Sequence, residues 1–315
     1  MPFFAFHSPS IRVKYYVINS LHTRTTGQIK TLGIMANAGK PAALEVAAAA
    51  DAYLRPRGLI LNLQTRVADA LGLDGRGLPD DAVAGSDAVL VLGGDGTILA
   101  TARMCAPRGT PMLPIHVGRF GFLTAVAPEE LEPALDALLD GRYAEEERMM
   151  LWCETHRDGM LQDSGLALNE VVVANGPLSR VLHLRTSIDN KYVTTYAADG
   201  IIVATPTGST AYSLSAGGPL VHPSLQTLLV VPICPHTLTA RALLIPPEAN
   251  VTVVVERDPH DTVRVTIDGQ LGFPLQAGDE IHIRRAPHPA RFLSVGGADF
   301  YAKLQSKLHW GETLY

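Results

Sequence analysis

The sequence predicts a doubly wound α/β domain followed by a second, β-rich domain of antiparallel, sandwich-like build. Three observations carry that prediction. Between residues 30 and 139, short apolar runs alternate with helix-like segments, the pattern of a mostly parallel sheet covered on its faces. From Arg148 onward the texture turns β-rich, punctuated by Asp158-Gly159, Asp189-Asn190 and Asp268-Gly269, pairs that commonly join antiparallel strands. In the first half, an apolar run from Asp87 to Leu92 enters Gly93-Gly94-Asp95-Gly96-Thr97 and leaves as a helix. A strand, a glycine turn and a helix N-terminus in succession gather backbone N–H groups on one concave surface, which favours a phosphate.

Residues 1 to 27 have no sustained apolar core and no acidic residue, the first being Glu45, so a disordered extension is expected. An acid-poor transit segment or a misassigned start are the alternatives. The α/β domain is expected over residues 28 to 125. Thr31 to Ala36 reads as a strand, Gly39-Lys40-Pro41 as a turn, and Ala42 to Leu54 as an alanine-rich helix with Pro56 beyond it. Leu59 to Leu63 is a short apolar run, residues 72 to 77 a polar, glycine-rich connection, and the next strand ends at Gly93. Ligands of such sheets bind outside the carboxyl ends of strands, where the Asp95 turn lies. Met112 to Val117 reads as a further strand. It leads into Gly118-Arg119-Phe120-Gly121-Phe122-Leu123, a loop whose aromatics and cation either wall a pocket or pack on the sheet. Pro128 to Leu139 reads as a helix, with Glu129 and Glu130 in the first turn, where the dipole favours acids, and Gly141 as its stop.

The β-rich domain is expected over residues 126 to 295. Val181 to Ile188 and Lys191 to Tyr196 read as one hairpin, Asn250 to Glu256 and Val263 to Ile267 as another. Asn169-Glu170 opens the apolar run Val171 to Val173; neighbours on a regular strand face opposite ways, so both reach one ligand only from irregular backbone. Asp199 to Gly218, DGIIVATPTGSTAYSLSAGG, reads as a strand, a Pro-Thr-Gly turn and a short helix capped by Ser209 or Thr210 and stopped at Gly217. Its hydroxyls, Thr207, Ser209, Thr210 and Ser215, either suit ribose and phosphate or simply cap, and Tyr212 offers a ring to a base. After Gly296-Gly297 a helical run, Asp299 to Trp310, is expected to return to the first domain, so that residues 296 to 315 complete it.

Composition narrows the function. With 315 residues, 47% of them hydrophobic, the chain can bury two cores. A formal charge of -5 without a long basic run argues against a nucleic-acid surface but leaves room for a local phosphate pocket. Cys105, Cys153 and Cys234 are far apart and form no C-x-x-C pair, which fits a reducing cytoplasm and signals neither a disulfide framework nor zinc. Eleven histidines show no ligand spacing, so no protein-held metal is expected. No apolar run approaches the roughly 20 residues of a membrane helix.

Asp95 is the odd member of its turn. A carboxylate in a phosphate cradle repels its guest unless a metal ion intervenes or it takes a proton from a hydroxyl; the alternative is a plain helix cap. Four motifs settle which comparison to make: GGDGT at Gly93 to Thr97, G-x-x-GFL at Gly118 to Leu123, NE at Asn169-Glu170, and DGIIVATPTGSTAYSLSAGGPLVHP at Asp199 to Pro223. Together with VPICPHTLTAR, Val231 to Arg241, and Asp268-Gly269-Gln270, they make the chain resemble the bacterial NAD kinases from about residue 30 to about residue 305. GGDGT alone is shared with lipid kinases and phosphofructokinases; the long motif is specific.

The resemblance implies transfer of the ATP γ-phosphoryl group to the 2′-hydroxyl of the adenosine ribose of NAD, giving NADP. It implies that Asp95 is the general base or orients the hydroxyl, and that Gly93, Gly94, Gly96 and Thr97 cradle phosphate. Gly96 and Phe122 would lie against NAD, Asn169 and Glu170 would hold its adenosine, and Arg180 would supply a cation near the phosphates. Asp199, Thr210, Ala211, Tyr212, Ser213, Leu214 and Ser215 would contact the rest of the dinucleotide, with Gln270 lining the pocket. Mg²⁺ would arrive with ATP, since no cage of carboxylates is visible. The resemblance also implies a cytoplasmic homodimer or homotetramer, with inorganic polyphosphate as an alternative donor. The rival readings are a lipid or sugar kinase sharing GGDGT, and an NAD(P)-sensing protein without turnover, against which the presence of Asp95 speaks.

A chain lacking residues 1 to 27 should keep its melting temperature and turnover nearly unchanged. A large loss of either would identify that segment as a docked element or an oligomer arm.

Overall fold

The computed structural model describes residues 29–118, 121–124, 126–176, 181–257, 263–296 and 300–309. The expected extension, Arg180 and part of the Gly118 to Leu123 loop lie outside them.

Seven strands form the first sheet, in the spatial order Gly77–Leu78, Ile60–Gln64, Thr31–Ala36, Ala88–Gly93, Pro111–His116, Ala290–Ser294 and Ala144–Arg148. All neighbours are parallel except the last pair. The central strand Ala88–Gly93 is apolar throughout because both its faces are covered: Ala88, Leu90 and Leu92 join a core under the helices Pro41–Leu54 and Leu131–Leu139, while Val89 and Val91 join the core under the helix Asp95–Cys105. Period-two alternation thus sends one strand's side chains into two cores. The expected strands and helices of this half lie within a residue or two of their predicted ends. The connection after Gln64 holds two further short helices, Thr65–Ala70 and Asp80–Val83, too short to leave a periodic signal.

The sheet does not end near residue 125, where the change in texture suggested a boundary. Ala144–Arg148 and Ala290–Ser294 both belong to it, so the chain returns earlier than the expected residues 296 to 315. The reason is physical: Ala144–Arg148 reads AEEER and sits at the sheet's edge, where apolar alternation is not required.

Between these strands the chain builds two six-stranded antiparallel sheets packed face to face. One runs Lys191–Ala198, Leu182–Ile188, Val251–Arg257, Glu280–Arg285, Leu151–Arg157, Met160–Ala167; the other runs Leu243–Ile245, Leu228–Ile233, Gly200–Ala204, Glu170–Ala174, Arg264–Ile267, Leu271–Pro274. Leu184, Val253 and Ile283 from the first meet Val173, Ile201 and Val265 from the second in one buried cluster. The turn pairs do their expected work. Asp158 and Gly159, and Asp189 and Asn190, all have positive φ and join neighbouring strands by two-residue hairpin loops.

One expected hairpin is absent. Val251–Arg257 pairs with Leu182–Ile188 and Glu280–Arg285, whereas Arg264–Ile267 pairs with Glu170–Ala174 and Leu271–Pro274 in the opposite sheet. The two strands lie in opposite sheets, and because both face the same core, their apolar alternation is that of a hairpin.

The late strand tests the topology. Leu293 is 1% exposed and lies in the same cluster as Leu113 and Ile115, so Leu293→Ala should cost about 2–5 kcal/mol in urea denaturation. A cost below about 1 kcal/mol would show that the returning strand is peripheral.

Candidate active site

The glycine turn at the carboxyl end of Ala88–Gly93 delivers Asp95 into the first turn of the helix Asp95–Cys105, behind the N-cap Gly94. Asp95 does not cap that helix. Its carboxylate turns to the facing loop, where Oδ2 accepts the Phe122 N–H at 3.1 Å and Oδ1 the Leu123 N–H at 3.2 Å. The loop approaches so closely that a Cβ on Gly121 would stand 1.9 Å from Asp95 Oδ1, so glycine is required there. Of the GFL loop, Leu123 is buried against the core, and Phe122 lines a cavity.

A cavity of about 520 Å³ is lined by Gly94, Gly96, Thr97, Lys40, Gln64 and Arg66 among others. It lies at the carboxyl ends of the parallel strands, beside a helix N-terminus. A second cavity, of about 420 Å³, is lined by Phe122, Arg148, Thr207, Thr210, His222 and Lys303 among others. Lys303 comes from the last helix, Phe300–Leu308, which docks by ring contacts of Phe300 and Tyr301 with His222. Its Nζ donates to the Phe122 carbonyl at 3.3 Å. Burial, and secondarily Arg148, lower the Lys303 pKa from its ordinary value, while Glu146 and Asp95 oppose that shift. Arg148 pairs with Glu146 and reaches Thr207 Oγ1 at 3.4 Å.

Asn169 and Glu170 stand where irregular backbone was required. Leu168 and Asn169 precede the strand Glu170–Ala174, and the carboxylate of Asp268 accepts three successive N–H groups: Leu168 at 3.0 Å, Asn169 at 2.8 Å and Glu170 at 3.2 Å. Both side chains are buried, and Asn169 Oδ1 and Glu170 Oε2 have no hydrogen-bond partner among the described residues. Buried polar atoms are normally satisfied, so these two could take a ligand's donors. Burial and the neighbouring Asp268 carboxylate push the Glu170 pKa up to about 8, against a lowering hydrogen bond from the Tyr212 backbone. Burial lifts Asp268 too, but its three N–H donors and Arg103 oppose the lift, so Asp268 keeps the charge and Glu170 the proton.

The segment after Gly200–Ala204 packs onto this corner. Thr205 N–H donates to the Asn169 carbonyl at 2.9 Å, Thr205 Oγ1 to the Leu168 carbonyl at 2.6 Å, and a Cβ on Gly208 would stand 2.1 Å from the Asn169 carbonyl oxygen. The expected caps are not caps. Thr207–Thr210 is a 3₁₀ turn, the helix Tyr212–Ser215 begins at Ala211 without a side-chain cap, and Ser209 Oγ instead binds Pro206 and Val221 in the interior. A left-handed Gly217 follows the helix, as expected. Of the predicted ligand-contacting run, Thr210 lines the cavity, Tyr212 is 44% exposed, Ser213 turns inward against Gly218, and Ser215 points to solvent. Ala211 and Leu214 are half-buried beside them.

Gln270 Nε2 donates to the Gly96 carbonyl at 2.7 Å, which brings the last motif beside Asp95. Gly93 is the buried end of its strand, with Thr97 over it. Asp199 does not converge on Asp95: it precedes Gly200–Ala204, at the end opposite Thr205 and about 20 Å away at the rise of a strand.

A family model for the ATP-NAD kinase C-terminal domain matches residues 168–295, and one for the N-terminal domain matches residues 75–143. The NAD kinase of Moorella thermoacetica is 46% identical over 283 residues, covering 90% of this chain and 90% of that protein. The chain belongs to the NAD kinase family. The NAD kinase of Geobacter sulfurreducens is 41% identical over 284 residues, covering 90% of this chain and 100% of that protein. Among solved structures, yeast NADH kinase complexed with NADH matches with a TM-score of 0.85 at 25% identity, over 92% of this chain and 90% of its own. An NAD kinase from Archaeoglobus fulgidus in complex with ATP matches with a TM-score of 0.71 at 25% identity, over 89% and 98%.

Sequence reading missed Lys40, Arg66, Arg103, Arg148 and Lys303. Lys40 carried a usable signal: it sits in the turn that follows the first strand of a parallel sheet, at the same edge as Asp95. The others reach the site only through tertiary packing.

Glu170 holds a proton in the folded chain at pH values where the unfolded chain, near its ordinary 4.5, has lost it. Stability from this residue therefore falls as pH rises from about 4.5 towards about 8. Glu170→Gln should relieve that loss, its gain over the parent being at least about 1 kcal/mol larger at pH 8 than at pH 5 in urea denaturation. Equal gains at the two pH values would show that Glu170 ionises freely in the fold.

Proposed function

We propose that this protein transfers the γ-phosphoryl group of ATP to the 2′-hydroxyl of the adenosine ribose of NAD, giving NADP and ADP. The observation that carries the reading is Asp95 itself, a carboxylate fixed by two backbone N–H groups beside a helix N-terminus, with its neighbours Gly94 and Gly96 lining one cavity and its partners Phe122 and Leu123 lining another. The cavity of Gly94, Gly96, Thr97, Lys40 and Arg66 suits polyanionic ATP, and the corner of Asn169, Glu170, Thr207 and Thr210 suits the adenosine of NAD. Relatives named NAD kinase, and neighbours complexed with NADH and with ATP, support the two substrates.

In the reaction a bond forms between ribose O2′ and the γ-phosphorus, the bond from that phosphorus to the β,γ-bridging oxygen breaks, and ADP leaves. The hydroxyl proton passes to the Asp95 carboxylate. Phosphoryl transfer depends on in-line placement and charge neutralisation more than on covalent help, so one well-aimed carboxylate suffices. Among the described residues no group of three His, Cys, Asp or Glu side chains is arranged to hold a metal. A divalent ion, Mg²⁺ by this reading, would arrive with ATP and would supply charge neutralisation on the transferred group. Asn169 and Glu170 present acceptors to the adenosine, Gln270 and Gly96 border it, and Tyr212 lies at its rim.

No helix among the described residues is long and apolar enough to cross a membrane. We place the enzyme in the cytoplasm, where its substrates are, as a homo-oligomer built through the β-rich half; Asp199, remote from Asp95, is then free to serve elsewhere on the assembly.

Asp95→Asn keeps the shape and removes the charge, so NAD binding should persist or tighten while kcat falls about 10²- to 10⁴-fold. Steady-state NADP formation and calorimetric NAD affinity on the same variant separate the two effects. Near-normal kcat would end the catalytic assignment; lost binding with an intact fold would make Asp95 a substrate-positioning group.

A further inference from the structure

Arg103, in the last turn of the helix that begins at Asp95, has no part in the scheme above, yet its side chain is only 14% exposed and its guanidinium serves two acceptors. NH1 donates to Asp268 Oδ2 at 3.1 Å, and NH2 donates to Gln270 Oε1. Each acceptor reaches onward. The fully buried Asp268 carboxylate holds the N–H groups of Leu168, Asn169 and Glu170, and Gln270 Nε2 holds the carbonyl of Gly96, the residue after Asp95. The turn carrying both is held open by left-handed backbone, Asp268 at φ 50° and Gly269 at φ 62°, and Asp268 N–H donates back to the Glu170 carbonyl at 3.0 Å.

These bonds form one continuous path. From Asp95 it runs through Gly96 and Gln270 to Arg103, and from Arg103 through Asp268 to Asn169 and Glu170. Two elements from different sheets, the helix of the phosphate turn and the strand entry of the acceptor corner, are thus tied at both ends of one side chain. A planar fork can do this; an ammonium group makes a point contact and cannot hold two fixed acceptors in one plane.

We infer that Arg103 is a positioning residue, which through Asp268 and Gln270 fixes the placement of Asp95 relative to Asn169 and Glu170, and so keeps the acceptor hydroxyl in line with the phosphoryl donor. The inference rests on the kinase reading above. Its consequence is a rate effect, because a displacement of about 1 Å in a reacting pair costs on the order of 10²-fold.

The test uses the full chain and two variants that spare the buried carboxylate's charge partner. Arg103→Lys keeps a cation near Asp268 and loses the fork; Gln270→Leu cuts the tie to Gly96 alone. Each should lower kcat for NADP formation by about 10- to 100-fold. Calorimetric NAD affinity of Arg103→Lys should stay within about threefold of the parent, and thermal melting of both variants within a few degrees. The double variant should be no slower than the slower single, since both break one path. Parental kcat in both singles, rate losses that multiply in the double, or losses that follow melting temperature alone would each overturn the positioning role. An unaltered chain that forms no NADP would instead overturn the kinase reading beneath it.

Discussion

A buried carboxylate at residue 268 sets the terms for the site. Removing a charge from water is tolerated only when donors replace the lost hydration, and Asp268 collects three backbone N–H groups and a guanidinium. Those N–H groups belong to consecutive residues, which no regular strand could aim at one anion, so the chain before Glu170–Ala174 must bend. The bend places Asn169 and Glu170 side by side. Its own burial, and secondarily the Asp268 charge beside it, raise the Glu170 pKa against one hydrogen bond from the Tyr212 backbone. Asp268 thereby determines the shape of the acceptor corner and adds to the effect of burial on its protonation.

Close backbone approach is the second constraint, and it acts at two glycines. Gly121 lets the loop bring two N–H groups onto Asp95, and Gly208 lets the Thr207–Thr210 turn lie against the Asn169 carbonyl. In both cases the space a Cβ would fill is already taken by a polar atom of the site. These contacts, not the helix caps expected from Ser209 and Thr210, hold the nucleotide motifs together, which explains why the hydroxyls of the long motif point largely inward.

Much of the fold was legible because the physics that forms it is local. Thr31–Ala36 and Ala88–Gly93 are apolar runs of strand length bounded by turn chemistry, and the Asp-Gly and Asp-Asn pairs require left-handed backbone that few residues accept. What escaped is what depends on partners far away in sequence. The acidic strand Ala144–Arg148 is recognisable only once Ala290–Ser294 has returned to pair with it. The change of sheet between Val251–Arg257 and Arg264–Ile267 cannot be told from a hairpin, since both strands alternate towards one core. In the site, Asp95, Asn169, Glu170 and Gln270 were visible as motifs, whereas Arg103 on a helix reads as a solvated cation until Asp268 is seen beneath it.

The distribution of cations shows why bulk charge says so little about this molecule. The chain is net acidic, yet Lys40 and Arg66 border one cavity, and Arg148 and Lys303 border the other. They come from four separate stretches, two of them brought in by the returning end of the chain and the strand it pairs with. On the proposed reading the arrangement needs both halves of the fold: the parallel sheet would present helix N-terminus and cations to a polyanion, and the sandwich an apolar-backed corner to a nucleoside. Glu146 also lines the second cavity, but there it is paired with Arg148, whereas Asp95 is held only by backbone N–H groups and keeps an acceptor for a hydroxyl proton. Discrimination between donor and acceptor would then follow from where that carboxylate stands, not from how much positive charge surrounds it.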